Sequence, residues 1–349
     1  MSYKFKLDES VHKGFRRIAG EQLESALTEL AGPEVVAANV HECRKSLKRL
    51  RALLRLSAGA IGSKAQRHNK ALAGIAKLLS ERRDQTVMLD TIAKLSHQSA
   101  DDAAALSPLK DSLAAQDGAQ GERLGPDVAE QARGLLAGEA RKLARIKLGK
   151  RGFAALAGGL EASYRHGRKA LKRAYGEPSD ENFHELRKAV QWHWRQMALL
   201  SKAWPDEFDA RANAARELSQ HFGDDHDLAI LAHSASQSAS MSEEQKAAAI
   251  EVCRRHQQVL RAAAEFGARR LFTEKPGAFV GRIAAYWRYG HQLESQLEVP
   301  AEPGQLGTAG QVKAAAESAD APPKERRPAK AKPRLAAQSE TPVPSQRRA

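Results

Sequence analysis

Cysteine, aromatic residues and long apolar runs are all scarce in this 349-residue chain. The two cysteines, Cys43 and Cys253, belong to no CxxC pair, so the sequence predicts neither a disulfide framework nor a zinc knuckle, and a reduced compartment is expected. Aromatic residues make up only 5% of the chain, and no segment alternates Val, Ile or Thr with polar residues as a strand would. The N-terminus has no apolar leader segment, and no apolar run is long enough to cross a bilayer. These absences predict an all-α, soluble, cytoplasmic protein.

Positive charge is plentiful. The chain has 56 Lys and Arg against 42 Asp and Glu, a formal net charge of +14. Such an excess creates a positive field that attracts polyanions. Nucleic acid, an acidic membrane surface, an acidic protein and polyphosphate would all respond to that field, so only the placement of the charges can distinguish them.

The pattern of apolar residues predicts a helical domain over residues 1–297 and a disordered tail over 298–349. Eight of the 14 prolines lie from Pro300 onward, mixed with Ala, Lys, Arg and Ser, a composition typical of disorder. A small-residue stretch at about 98–127 predicts a loop or weak helix. Separate helices are predicted near 209–222 and 226–239.

The two halves of the helical domain resemble each other. HECRKSLKRLRALLRL from His41 is similar to HELRKAVQWHWRQMAL from His184, and an Asp that opens an apolar stretch follows each, at Asp84 and Asp227. The distance from His to Asp is 43 positions in both halves. Motif and spacing together predict an internal duplication, with a first bundle at about 5–125 and a second at about 126–297.

The helix after His41 has an apolar stripe and a basic one. At about 100° per residue, the residues Val40, Cys43, Leu47, Leu50 and Leu54 share one face. A neighbouring stripe and its flank carry seven basic side chains, with Glu42 the only acid among them: His41, Arg44, Lys45, Lys48, Arg49, Arg51 and Arg55. Like charges at i, i+3 and i+4 repel each other, so such a stripe favours an anion-binding face over a solvated surface.

The second copy keeps fewer cations. His184, Arg187 and Lys188 are in register with His41, Arg44 and Lys45, but Gln191, Trp192 and Trp194 replace Lys48, Arg49 and Arg51. Nearby cations compensate in part, and the site is expected to include four of them: Arg165, Arg168, Lys169 and Arg195. Near the N-terminus Arg17, with its basic neighbours, forms a weaker counterpart.

The two HxxRK helices, the Arg-Asp and His-Asp pairs and the duplication resemble the CHAD family, the conserved-histidine α-helical domains, over roughly residues 5–295. The resemblance implies two antiparallel four-helix bundles related by a pseudo-twofold axis, with a basic groove between them that binds inorganic polyphosphate. It also implies a link to polyphosphate granules. The family's binding residues correspond here to His41, Arg44, Lys48, Arg49, Arg51, Arg55, His184, Arg187 and Lys188.

The chain departs from the family pattern at two positions. Gln191 stands where the second helix usually has Lys, and Lys45 stands where the first helix often has an apolar residue. Polyphosphate is therefore expected to contact the first half more heavily. His41 and His184 either contact phosphate or hydrogen-bond between helices, and both roles stay open.

Catalysis and cofactors are not expected. The segment HFGDDHD resembles the His-Asp pair of metal-dependent phosphohydrolases, but the matched position in the first copy is Arg83-Asp84, and Arg cannot bind metal. The chain has no ExExK triplet, P-loop, GxSxG or HExxH motif. A nucleic-acid-binding protein is the main alternative, because backbone phosphates would satisfy the same cations. The oligomeric state is left open.

Overall fold

The computed structural model describes residues 3–32, 34–79, 83–116 and 123–297, without the side chains of residues 83–85, 116, 123 and 297. The chain divides into two units, Met1–Glu298 and Val299–Ala349. The predicted tail lies outside the described residues, as does the side chain of Asp84.

The described residues form twelve α-helices, which confirms the all-α class. A two-residue antiparallel pair, β1 (Val35–Val36) with β2 (Arg123–Leu124), and a 3-10 turn at Ser201–Ala203 accompany them. None of these helices is long and apolar enough to cross a membrane. The helices are α1 (Val11–Glu29), α2 (Ala37–Leu56), α3 (Ala58–Ile61), α4 (Ser63–Leu78), α5 (Arg83–Gln98), α6 (Ala100–Gln116), α7 (Pro126–Leu143), α8 (Ala154–Gly176), α9 (Asp180–Leu200), α10 (Pro205–Gln237), α11 (Glu243–Leu271) and α12 (Pro276–Leu297).

Two segments are more helical than the sequence predicts. The small-residue stretch contains α6, because Leu106, Leu109 and Leu113 lie on one face and are buried. The helices predicted near 209–222 and 226–239 are one helix, α10, in which the buried Phe222 and Leu228 flank the expected break. Where a segment has low helix propensity, the burial of apolar residues on both sides of it can still make it helical.

The N-terminal helices pack around shared apolar residues. Helix α1 contacts α2 and α7, and α4 contacts α2 and α7, so these four helices are neighbours. The duplication predicts that α7 belongs to the second bundle, whereas its buried face, with Ala132 and Leu136, contacts α1 and α4. Their core continues without a break into that of α8, α9 and α12.

A second, smaller core lies under α5 and α6. This helix pair contacts the α10–α11 hairpin, where Leu109 and Leu113 join the buried Leu231 and Val252. Helices α5 and α6 therefore pack against helices from the other half of the chain. The predicted boundary near residue 125 does not follow these contacts.

The crossing of α2 with α8 positions the basic residues. A Cβ at Gly159 would lie 2.0 Å from the Leu56 carbonyl oxygen and 2.4 Å from that of Arg55. Only a glycine permits this approach, since those oxygens belong to the backbone. Helix α2 also contacts α9, so the two helices with the HxxRK motif are neighbours.

Candidate polyanion-binding site

Helix α2 buries its apolar residues and leaves its basic ones at least partly accessible. In α2 the apolar stripe of Val40, Leu47 and Leu54 is buried. The basic stripe beside it is half-buried from Arg44 to Arg55, and His41 is exposed. Helix α9 begins after Ser179, whose hydroxyl accepts a hydrogen bond from the Asn182 amide at 3.2 Å, a typical N-cap.

Arg55 joins the two helices. Its guanidinium carbon lies 3.4 Å from the centroid of the Trp192 ring on α9, and the Trp192 and His166 rings are 5.3 Å apart. Trp192 occupies the position at which the first copy has Arg49, so an aromatic ring replaces a cation and holds another by a cation–π contact. Burial and the Arg51 charge lower the pKa of Arg55, while the Glu185 charge opposes them.

Arg195 is the buried centre of the positive charge. Only 7% of the residue is exposed, and its Nη1 donates to the Gln191 carbonyl at 2.9 Å. Its Nε has no hydrogen-bond partner among the described residues. Burial, together with the charges of Arg49, Arg187 and Arg51, lowers its pKa from 12.5 to about 10. Its guanidinium carbon lies 4.2 Å from the centroid of the Trp194 ring, and no acidic side chain pairs with it in the part of the chain that the structure describes. A buried cation of this kind is stabilised by an anion.

These effects define one group, the basic cluster: Arg49, Arg51, Arg55, His166, Lys169, Arg187, Lys188 and Arg195. Charges within the group lower the pKa values of Arg55, His166 and Arg195, which requires short distances between those charges. For His166, burial and the charges of Arg55, Lys188 and Lys169 lower the pKa. Cations from α2, α8 and α9 thus converge on one region.

Acidic residues compensate part of this charge. Glu185 forms an ion pair with Lys188 and lies 3.8 Å from His166 Nε2. Glu42 pairs with Lys45 at 2.8 Å on the edge of α2. Lys45 and Lys188 are therefore less available to an anion than their sequence positions suggest.

The histidines of the two copies differ. His184 Nδ1 lies 3.2 Å from His226 Nδ1 on α10, and burial with neighbouring positive charge lowers both pKa values, that of His226 to about 4. The pair is therefore neutral near pH 7. His41 is exposed on α2, where it can meet solvent or a ligand.

Several predicted site residues have structural contacts instead. Arg168 Nη1 donates to the carbonyl groups of Phe272 and Thr273, both at 2.7 Å, at the end of α11. Arg17 pairs with Glu9 and Glu21. Through these contacts, their guanidinium groups stabilise the fold.

Three more predicted residues lie on α2 and α8. Arg165 is exposed and pairs with Glu161. Arg44 donates to the Ala76 carbonyl of α4, and Lys48 is half-buried on α2. Of the predicted set, Arg49, Arg51, Arg55, Lys169, Arg187, Lys188 and Arg195 belong to the basic cluster, and His184 lies close enough to Arg187 and Lys188 for their charges to lower its pKa.

Comparison with known proteins identifies the family. The family model described as "CHAD domain" matches residues 17–236, more than half of the chain. The chain belongs to the CHAD family. No curated protein matches this CHAD chain. Among solved structures it is similar to PptA from Streptomyces chartreusis, with 14% identity, a TM-score of 0.48, and coverage of 76% of this chain and 100% of that one.

Two neighbours of the basic cluster in this CHAD chain carried no sequence signal. Tyr3 donates its hydroxyl to the Arg49 carbonyl at 2.8 Å, and burial raises its pKa far above the usual range. Asn69 on α4 accepts a hydrogen bond from Arg51 Nε at 3.0 Å. Both contacts join segments distant in the chain, so no local pattern could have revealed them.

The HFGDDHD segment of this CHAD chain lies on α10, where Asp225 has a protein partner. Asp225 is buried and accepts from Arg261 Nε at 2.5 Å, while Asp227 is half-buried. Among the described residues no group of three or more His, Cys, Asp or Glu could hold a metal ion. Gly223 of this segment lies next to the HELRK sequence of α9, since a Cβ at Gly223 would lie 3.8 Å from Arg187 Nη2.

Proposed function

We propose that this CHAD protein binds inorganic polyphosphate through the basic cluster and performs no catalysis on it. The observation that carries the proposal is the convergence of Arg49, Arg51 and Arg187 on the buried Arg195. Such a group of cations lowers the free energy of unfolding, and a bound polyanion raises it again. A linear chain of phosphates supplies negative charge at each unit and oxygen atoms that arginine can bind in pairs.

The proposal extends to the architecture. Helices α2 and α9 are equivalent members of two bundles related by a pseudo-twofold axis, and the basic cluster lines the groove between them. Helix α2 contributes the larger share, because Trp192 and Gln191 replace cations on α9. The protein then acts in the cytoplasm, where it associates with polyphosphate granules.

Nucleic acid is the competing ligand, because its backbone phosphates have the same chemistry. Three aromatic rings lie at the cluster, and each contacts one of its arginines: Trp192 contacts Arg55, Trp194 contacts Arg195 and Tyr3 contacts Arg49, which leaves less ring surface for base stacking. Polyphosphate is therefore the better match. If long-chain polyphosphate fails to displace bound DNA at equal phosphate concentration, nucleic acid becomes the assigned ligand.

The test is a titration of the full chain with long-chain polyphosphate at two salt concentrations. The double variant Arg49→Ala/Arg51→Ala should lose on the order of 1–3 kcal/mol per well-paired contact. Affinity should also fall steeply with salt as counterions are released. Circular dichroism verifies that helicity is unchanged.

The matched control is Arg216→Ala/Arg288→Ala, which removes the same charge from exposed positions on α10 and α12. Its affinity should stay close to that of the unaltered chain. An equal loss in both double variants would mean that overall charge, rather than a site, attracts the polyanion, and the proposal would be wrong.

A further inference from the structure

A second concentration of positive charge surrounds a cavity between α4 and α7. The cavity has a volume of about 610 Å³, within the range of small-molecule sites. Five exposed cationic side chains line it: Lys64, Arg67, Lys142, Arg145 and Lys147. We call it the α4–α7 cavity. Its cations come from two walls, with Lys64 and Arg67 on α4 and the others on α7 and the segment that follows it.

Buried contacts hold the two walls together. His68 Nδ1 on α4 lies 2.7 Å from Glu139 Oε2 on α7, and only 11% and 6% of these side chains are exposed. Lys142 Nζ contacts the other oxygen of the same carboxylate at 2.8 Å. Burial alone would raise the pKa of Glu139, but the hydrogen bonds from His68 and Lys142 hold it below its usual value. Both carboxylate oxygens are thus engaged, which weakens their repulsion of an anion.

The segment after α7 is fixed in place. The Gly149 amide donates to the Ala60 carbonyl at 2.9 Å, and the Leu148 amide contacts His12 Nδ1 at 3.5 Å. These bonds hold the backbone beside Lys147 before any ligand arrives. A preorganised wall loses less entropy on binding than a mobile loop would.

The lining chemistry points to phosphate. Glu139 is the single carboxylate among the described residues that line the cavity, and the one aromatic ring among them is that of His68, which is largely buried beside Glu139. Arginine and lysine on facing walls suit a compact, multiply charged anion, whereas a nucleobase would find no exposed ring to stack on. We propose that the α4–α7 cavity is a binding site for a short inorganic oligophosphate.

This site is separate from the basic cluster. On α4, His68 turns toward Glu139 of α7, while its neighbour Asn69 accepts a hydrogen bond from Arg51 of α2. Helix α4 therefore lies between the two groups of cations, and each can be altered alone. The inference goes beyond the proposed function and does not depend on it, because a short ligand can occupy the cavity whether or not a long chain binds elsewhere.

The experiment measures binding of inorganic tripolyphosphate to the full chain by isothermal titration calorimetry. The variant Arg67→Ala/Arg145→Ala removes one cation from each wall and should weaken binding at least about tenfold. Ala71→Phe keeps every charge but fills space in the cavity, so it should also weaken the binding of tripolyphosphate. Long-chain polyphosphate should still bind both variants.

The matched control is again Arg216→Ala/Arg288→Ala, with circular dichroism on every variant. Equal weakening in this control, or full affinity in Ala71→Phe with its fold intact, would overturn the cavity as the site. If only Arg49→Ala/Arg51→Ala weakens the binding of tripolyphosphate, the basic cluster is its binding site, and the inference would be overturned as well. Tighter binding of ATP than of tripolyphosphate would overturn the assignment of an inorganic ligand.

Discussion

Replacing the buried Arg195 by Met should stabilise the free protein and weaken its binding of polyanions. The fall of the Arg195 pKa from 12.5 to about 10 corresponds to about 3 kcal/mol of cost for its charged form. Both values lie above 7, so the guanidinium is charged in the folded and unfolded chains. The lowered pKa therefore destabilises the fold fully at neutral pH, and the cost disappears only as pH rises above about 10.

The expected gain follows from what Met keeps and loses. Met has a similar length and no charge, and it forfeits both the hydrogen bond to the Gln191 carbonyl and the cation–π contact with the Trp194 ring, about 1 kcal/mol each. The net stabilisation is then about 1 kcal/mol, which should raise the melting temperature by about 2 °C. Differential scanning calorimetry at pH 7 and low salt measures the change, and a polyphosphate titration of the same variant measures the loss of affinity.

Arg211 provides the matched control. It is also a largely enclosed arginine, but its Nε donates to His193 Nε2 at 3.0 Å and its Nη2 to the Leu271 carbonyl at 2.7 Å. Arg211→Met should therefore lower the melting temperature, because it leaves those acceptors unsatisfied. If Arg195→Met also lowers the melting temperature, then Arg195 stabilises the fold. The view that its buried charge destabilises the free protein would be refuted.

Three further predictions concern the surroundings of the site. Gly159→Ala should destabilise the chain by about 3 kcal/mol or more in urea denaturation, because its Cβ would overlap the Leu56 carbonyl; a neutral result would mean that α2 and α8 can separate. Arg168→Ala should cost roughly 1.5–3 kcal/mol of stability while leaving polyphosphate affinity near normal in titration. The lowered pKa of His226 predicts stability that is complete above pH 6.5 and declines as pH falls toward 4; His226→Gln should flatten this decline in pH-dependent melting curves.

The basic face of α2 was predictable because it follows from helical periodicity alone. Leu47 and Leu50 are buried, and Arg51 and Arg55 line the neighbouring stripe, as the 3.6-residue repeat requires. The same logic failed on α8. Arg168 and Lys169 are adjacent in sequence and equally charged, yet Arg168 binds the carbonyl groups that end α11, whereas Lys169 influences His166 in the cluster. Periodicity predicts the face of a side chain but not its partner.

Packing between distant segments could not be predicted in the same way. The duplication suggested that sequence halves and packed groups coincide, but α7 joins α1 and α4, and α6 packs against α11. An apolar face such as that of Leu106 and Leu109 indicates that a helix packs against other helices. It does not indicate which helices these are.

The amino-acid sequence by itself determined the all-α class, the family, the basic face of α2 and the reduced charge of α9, because composition and local periodicity carry each of them. Only the tertiary structure decided that Arg55 stacks on Trp192, that Arg195 is a buried cation among three others, and that α4 and α7 enclose a cavity of positive charge. The physical reason is the range of the interactions. Propensity and hydrophobic periodicity act within a few turns of chain, whereas burial and charge repulsion depend on which distant segments meet.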